Sequence, residues 1–159
     1  MDQLPALIDA IIEEDSLLRQ RLASCPSQFR DLRGPGGTLS FKETLGHIAF
    51  WDDFTVQFFA SRLDRRSRNP QPPADFERRS AEALTAMRSL PFGEVLARYL
   101  EATGALIDFL RGNWRLLDER DRKNFWVPVK HRRHHRLTLF RELDSLQGAE
   151  HDRTLAAEA

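Results

Sequence analysis

Apolar side chains recur along the chain at the three- and four-residue spacings of an α-helix, and no segment alternates as a β-strand does. This pattern predicts a first helix over residues 3–24 and, because glycine and proline are frequent there, a loop over 25–39. Ser40 and Glu43 have the spacing of a helix capping box. A second helix is therefore predicted over residues 40–64.

The second half of the chain predicts two further long helices. A polar, proline-rich connection over 65–73 precedes a weaker helix over 74–90, in which apolar positions are sparse. A clean apolar stripe then predicts a helix over 91–113, with proline at its start and glycine near its end. A charged connection over 116–124 leads to a last helix, predicted over 128–147.

Four long amphipathic helices in 159 residues predict an all-α fold of the four-helix bundle type. The link between the second and third long helices is long enough for a crossover, so the order of the helices around the bundle stays open. We expect residues 1–148 to form this one domain. Residues 149–159 are expected to form a flexible C-terminal tail.

The charges balance overall but are unevenly distributed. The chain has 24 basic and 24 acidic residues, which argues against a protein that mainly neutralises nucleic-acid phosphates. Residues 111–141 nevertheless hold ten basic and three acidic side chains, whereas residues 1–18 hold five acidic and no basic ones. These runs are either solvated faces that pair with each other or a ligand surface, and nucleic-acid binding remains a third, less favoured hypothesis.

Several other protein classes are excluded by composition. A single cysteine, Cys25, cannot form an internal disulfide, which argues against a secreted disulfide scaffold. No apolar run approaches the roughly 18 residues of a membrane helix, and the N-terminus lacks the pattern of a signal peptide. We therefore expect a cytoplasmic protein with no membrane partner.

Three of the five histidines occupy positions that favour a metal site. His131 and His135 lie one helical turn apart on the face that continues through Leu139, which is the predicted core face. Two inward imidazoles at this spacing can reach one metal ion, although the spacing alone also fits a partly solvated, basic helix start. His47 shares a stripe of the second helix with Trp51 and completes a set of three nitrogen donors.

Residues 39–53, LSFKETLGHIAFWDD, resemble the second-helix signature of the DinB-like superfamily of small bacterial four-helix proteins. The later His131-x-x-x-His135 is similar to the fourth-helix motif of that family, and the resemblance covers nearly the whole chain. It implies a divalent metal ion, zinc or nickel, bound by His47, His131 and His135 near one end of the bundle. It also implies a homodimer. Arg132 and His134 depart from the pattern, which has an aromatic and an acidic residue there.

Three imidazoles leave at least one position of the ion open, as in catalytic rather than structural zinc sites. Such an ion lowers the pKa of a water or a thiol that binds it. We therefore expect a metal-dependent enzyme acting on a small thiol or electrophile, either a thiol transferase or a hydrolase. Relatives of both kinds exist, so the resemblance does not choose between them. A non-enzymatic, dimerising metal-binding bundle is the alternative.

Other side chains are assigned roles around this site. Trp51 is expected to form a wall of the pocket, and Arg132 and Arg133 to lie at its rim, where they and His134 would meet an anionic substrate. Asp52 lies on an apolar stripe, as does Asp15 on the first helix. Each is either an ordinary interhelical polar contact or, for Asp52, a base or a partner of a metal ligand. Asp52 and His134 are the catalytic candidates, and no side-chain nucleophile is expected.

Overall fold

In the computed structural model, residues 3–34, 37–64 and 75–157 are described, and their regular secondary structure is entirely helical. The α-helices, in chain order, are α1 (Leu4–Ser24), α2 (Phe41–Leu63), α3 (Phe76–Ser89), α4 (Phe92–Asn113), α5 (Glu119–Asn124) and α6 (Trp126–Ala157). Short 3₁₀ turns follow α1 and α4, at Ser27–Phe29 and Trp114–Leu116. Within the described ranges, no helix combines the length and apolar character needed to cross a membrane.

The last helix extends further than the sequence pattern predicted. It was expected to end at Gln147, but α6 continues through Gly148 to Ala157. That residues 149–159 form a flexible tail stays a prediction. One glycine in a helix costs only about 1 kcal/mol, and the alanines, glutamate and leucine that follow are good helix formers. The predicted connection over 65–73 lies outside the described residues.

The start of α2 is held by the capping box that the sequence predicted. The Ser40 hydroxyl accepts a hydrogen bond from the Glu43 backbone N–H at 3.2 Å, and the Ser40 N–H donates to the Glu43 carboxylate at 3.0 Å. The same carboxylate accepts hydrogen bonds from Arg33 and Arg88. Burial would raise the pKa of Glu43, but these donors outweigh it and lower the pKa to about 2. One acid thus joins the preceding loop, α2 and α3.

The long helices pack in a closed order, in which α1 contacts α6, α6 contacts α2, α2 contacts α4, and α4 contacts α1. The apolar core consists of two clusters along the length of α2, which supplies Ile48 to one and Phe59 to the other. Asp52 lies between these clusters and is buried. A polar group therefore sits in the middle of the packed interior.

Helix α3 lies unusually close to α2. A Cβ atom added at Gly46 would lie only 2.7 Å from Cγ of Met87 and 3.0 Å from its Cβ, closer than real Cβ contacts. The side chain of Phe76, at the start of α3, packs on α2 with ring centroids 4.7 Å from Trp51 and 4.4 Å from Phe54. These contacts hold α3 against the part of α2 that carries His47.

Candidate metal centre

Three imidazoles from two helices meet at one point between α2 and α6. The Nε2 atom of His131 lies 3.1 Å from Nε2 of His47 and 3.0 Å from Nε2 of His135. All three offer one ligand atom within 4.8 Å of the others, and each side chain is partly buried. The residues that the sequence singled out as metal ligands are thus brought together.

The helix geometry explains this convergence. His131 and His135 are one turn apart on α6, so their side chains lie side by side with ring centroids 4.5 Å apart. The His47 ring closes the triangle from α2, at 5.0 Å from the His131 centroid and 4.7 Å from the His135 centroid. The Trp51 ring, one turn further along α2, lies 5.1 Å from His131 and limits the site on that side.

The three imidazoles are held in their neutral form. Burial lowers the pKa of His131 to about 3 and that of His135 to about 4, and the charges of the neighbouring histidines add to both shifts. Burial also lowers the pKa of His47. A neutral imidazole offers a lone pair to a metal ion, so the electrostatics of the site fit a cation as its ligand.

The hydrogen-bonding capacity of the rings favours a cation at their centre. A neutral imidazole has one N–H donor and one acceptor nitrogen, yet His131 uses the same Nε2 atom for both contacts. If Nε2 of His131 carries the ring proton, it can donate a hydrogen bond to only one of His47 and His135. It then has no lone pair with which to accept a hydrogen bond from the other. Ligands about 2.0–2.1 Å from a tetrahedral ion lie about 3.3–3.4 Å apart, close to the spacing of these nitrogens.

The histidines open into a cavity of about 560 Å³ between α2, α3 and α6. Trp51 lines it, and α3 supplies the opposite wall with Phe76, Glu77, Ser80, Ala81 and Leu84. The sequence analysis did not identify Glu77 or Ser80 as site residues. They occupy ordinary polar positions of a weakly amphipathic helix, and only the docking of α3 on α2 places them here.

Arg132 is not at the rim of this cavity, as the sequence analysis expected, but fully buried in the core. Its guanidinium forms two hydrogen bonds to the Asp52 carboxylate, one of them 3.0 Å long, and donates to the Thr103 hydroxyl at 2.8 Å. Burial raises the pKa of Asp52 to about 7, and the Arg132 charge opposes that rise. Asp52 is therefore the partner of an arginine rather than of a histidine.

The remaining candidates lie away from the three imidazole nitrogens. Arg133 donates to the buried carboxylate of Glu14 on α1 at 2.7 Å, so it joins α1 to α6 and is not a rim residue. His134 is exposed, with its ring beside that of His135 at 5.3 Å. Asp15 lies 3.6 Å from Arg19 on the same helix. Sequence reasoning chose Asp15 on α1 and missed Glu14, although Glu14 is the buried acid of the two.

The basic stretch over 111–141 is partly neutralised within the chain. Glu14 accepts from both Arg133 and Arg136, and Asp52 accepts from Arg132. These pairings account for three of its ten basic side chains. They reduce the charge available for phosphates and favour the interpretation of the two charged runs as surfaces that pair with each other.

Comparisons with known proteins add no family to this description: no family model matches the chain, and no curated protein or solved structure matches it.

Proposed function

We propose that the chain is a divalent-metal-binding member of the DinB-like superfamily, with α1, α2, α4 and α6 as the helices of a four-helix bundle. The closed packing order of these helices supports the bundle, because each contacts two of the others. The three proposed ligands come from the second and the last long helix, as the family resemblance implies. The resemblance also implies a homodimer, which sedimentation analysis of the full chain would test.

The observation that carries the metal proposal is the meeting of three neutral imidazole nitrogens at 3.0 and 3.1 Å. His47, His131 and His135 would hold the ion, and zinc and nickel are the favoured metals because both accept imidazole ligands. No fourth histidine, cysteine or acid joins this group among the described residues. A site with three protein ligands supports a catalytic rather than a purely structural role.

We propose that the protein is an enzyme acting on a small thiol or electrophile, as a thiol transferase or a hydrolase. A divalent ion bound there supplies a Lewis acid that lowers the pKa of a thiol or water. The chain itself provides the enclosure, because Trp51 and Phe76 form apolar walls beside the histidines. Glu77 is the carboxylate of the same cavity and would accept the proton that the attacking group loses.

Metal content tests the first part of this proposal. Untagged protein, loaded with zinc or nickel and dialysed, should hold one ion per chain by elemental analysis. His131→Ala should lower the affinity for zinc at least tenfold in a chelator competition, because two ligands remain. His134→Ala is the matched control, since it removes an exposed neighbouring imidazole and should leave the affinity unchanged. Equal zinc affinities of the two variants in this competition would contradict the site.

Activity tests the second part. Metal-loaded protein should conjugate a small thiol to an electrophile or hydrolyse an ester or amide, and His131→Ala should abolish that activity. Glu77→Gln should lower kcat while metal content stays at one ion per chain, because it removes a proton acceptor and not a ligand. A fully loaded protein that is inert across a broad panel would favour the alternative, a bundle in which the ion only joins α2 to α6.

A further inference from the structure

A second cavity, of about 340 Å³, lies beside the metal centre. It shares Trp51 and His131 with the histidine cavity, so these two rings separate the two spaces. Its remaining wall comes mainly from the middle of α2 and the start of α6 and is largely aromatic or aliphatic, with Phe54, Phe58, Phe59, Val127 and Pro128. The end of α5 adds the neutral polar side chain of Asn124. We call this space the aromatic cavity.

Among the described residues, the lining of the aromatic cavity presents no uncompensated charge. Asp52 belongs to its wall, but both carboxylate oxygens accept hydrogen bonds from Arg132. The Thr55 hydroxyl also lies there and donates to the backbone carbonyl of Trp51 at 2.7 Å. An anion or a cation bound in this space would therefore lose its hydration without gaining an ionic partner.

The Trp51 indole adds no hydrogen-bond donor to this space. Its Nε1 is buried, so a molecule in the cavity does not reach it, and the ring contributes apolar surface to the wall.

We propose that the aromatic cavity binds the uncharged aromatic or aliphatic end of a small molecule. The volume lies at the small end of the range for ligand pockets, and a helix about 10 Å wide would not enter it. This inference rests on the proposed function, because His131 borders both cavities. It specifies the substrate of that function as a small electrophile with a neutral apolar end, such as an aryl ester or amide.

The test uses the metal-free full chain and its indole N–H signals in a ¹H–¹⁵N NMR spectrum. The chain has three tryptophans, so three signals are expected, and Trp51→Phe identifies the one from Trp51. Acetophenone is the probe, because it is a small uncharged aryl compound. It should shift the Trp51 signal saturably. Ethylbenzene, which is also uncharged, should shift the same signal, and the anion benzoate should bind at least tenfold more weakly than either.

A pair of matched variants locates the binding. Val127 and Leu137 are both on α6 and are 53% and 56% exposed, so a phenylalanine at either position is tolerated by the fold. Val127 lines the aromatic cavity, and Leu137 lines neither of the two cavities. Val127→Phe should weaken acetophenone binding at least tenfold, because the larger side chain fills the space. Leu137→Phe should leave the affinity unchanged.

Four results would overturn the inference. The first three are the absence of a saturable shift up to the solubility limit, equal effects of Val127→Phe and Leu137→Phe, and benzoate binding as tight as that of acetophenone. A Trp51 shift that follows protein concentration without ligand would assign the cavity to a second copy of the chain, and that also overturns it. Because the protein is metal-free, a failed metal site would not affect these results. Normal zinc uptake with no acetophenone binding would remove only the apolar substrate.

Discussion

Two polar clusters lie between α2 and α6, and they differ in how their polar groups are satisfied. In the histidine cluster, three neutral imidazoles direct nitrogen atoms at one another, and each ring remains partly exposed to the large cavity. In the buried cluster, Asp52, Arg132 and Thr103 satisfy one another by hydrogen bonds inside the core. The first cluster is neutral, and we propose that it holds a metal cation, whereas the second already contains its own cation, Arg132.

The difference arises between two adjacent residues of α6, His131 and Arg132. Each residue of an α-helix turns the side-chain direction by about 100 degrees, so His131 points to the cavity and Arg132 to the core. On α2 the corresponding step is from Trp51 to Asp52. The ion pair therefore fixes α6 on α2 directly beside the histidines. We expect its role to be structural and that of the histidines to depend on a ligand.

The largest effect should come from breaking the buried ion pair. Arg132→Met leaves the Asp52 carboxylate without its partner in the core, so the free energy of unfolding should fall by about 3–5 kcal/mol in urea denaturation. The double variant Asp52→Leu, Arg132→Met should recover most of this loss, because both charges are gone. Arg133→Met is the neighbouring control and should cost less than about 1 kcal/mol, since Arg133 is half-exposed and Arg136 still pairs with the buried Glu14 carboxylate.

An Arg132→Met protein as stable as the wild type would mean that the pair does not hold the two helices together. A double variant as unstable as the single one would mean that the loss comes from packing and not from the unpaired charge.

The next effect concerns the histidine cluster and requires metal. Free zinc at a hundredfold excess over its dissociation constant should raise the free energy of unfolding by about 2.7 kcal/mol, because it binds the folded chain. His135→Ala should lose this gain, while His134→Ala should keep it. Urea denaturation with buffered zinc measures all three proteins. The same increase in every variant would place the bound zinc elsewhere.

The smallest effect is a pH dependence at a third polar group, Glu43, whose partners Arg33 and Arg88 are partly exposed. The pKa of Glu43 is about 2 in the folded chain against 4.5 without its surroundings, so the folded state binds this proton less tightly. Its stabilisation is complete above pH 4.5 and is lost as the pH falls towards 2. We expect about 1–2 kcal/mol, reduced by solvent screening of the arginines.

Urea denaturation of the wild type and of Glu43→Gln from pH 6 to pH 3 measures this contribution. The difference between the two proteins should shrink as the pH falls. A constant difference would show that the carboxylate stays charged throughout or contributes only through its shape.

The parts of the molecule that depend on local spacing were predictable from the sequence. Helical periodicity located the long helices, and the Ser40–Glu43 pattern located the start of α2. The one-turn spacing of His131 and His135 placed two rings on one face, and the position of His47 on α2 identified the third. The bundle and the metal itself remain predictions.

The errors concern contacts between distant parts of the chain. Arg132 was assigned to the pocket rim because it neighbours His131 and can bind an anion. Its burial depends on the compensating Asp52, which is 80 residues earlier. The burial of Glu14 depends on two arginines of α6, so the pattern of apolar residues in α1 does not predict it. Glu77 enters the cavity wall only because α3 docks on α2. Spacing along one helix does not contain this information.

The close contact between α2 and α3 at Gly46 influences the width of the histidine cavity but adds no chemical group to its walls. Gly46 contributes no side chain to the cavity, yet its missing Cβ permits the contact with Met87 that brings α3 to α2. Any larger residue there would move the wall that carries Glu77 outward while His47, its neighbour in the chain, stays on α2. Position 46 is therefore a spacer through which the width of the histidine cavity can be altered without replacing a residue that lines it.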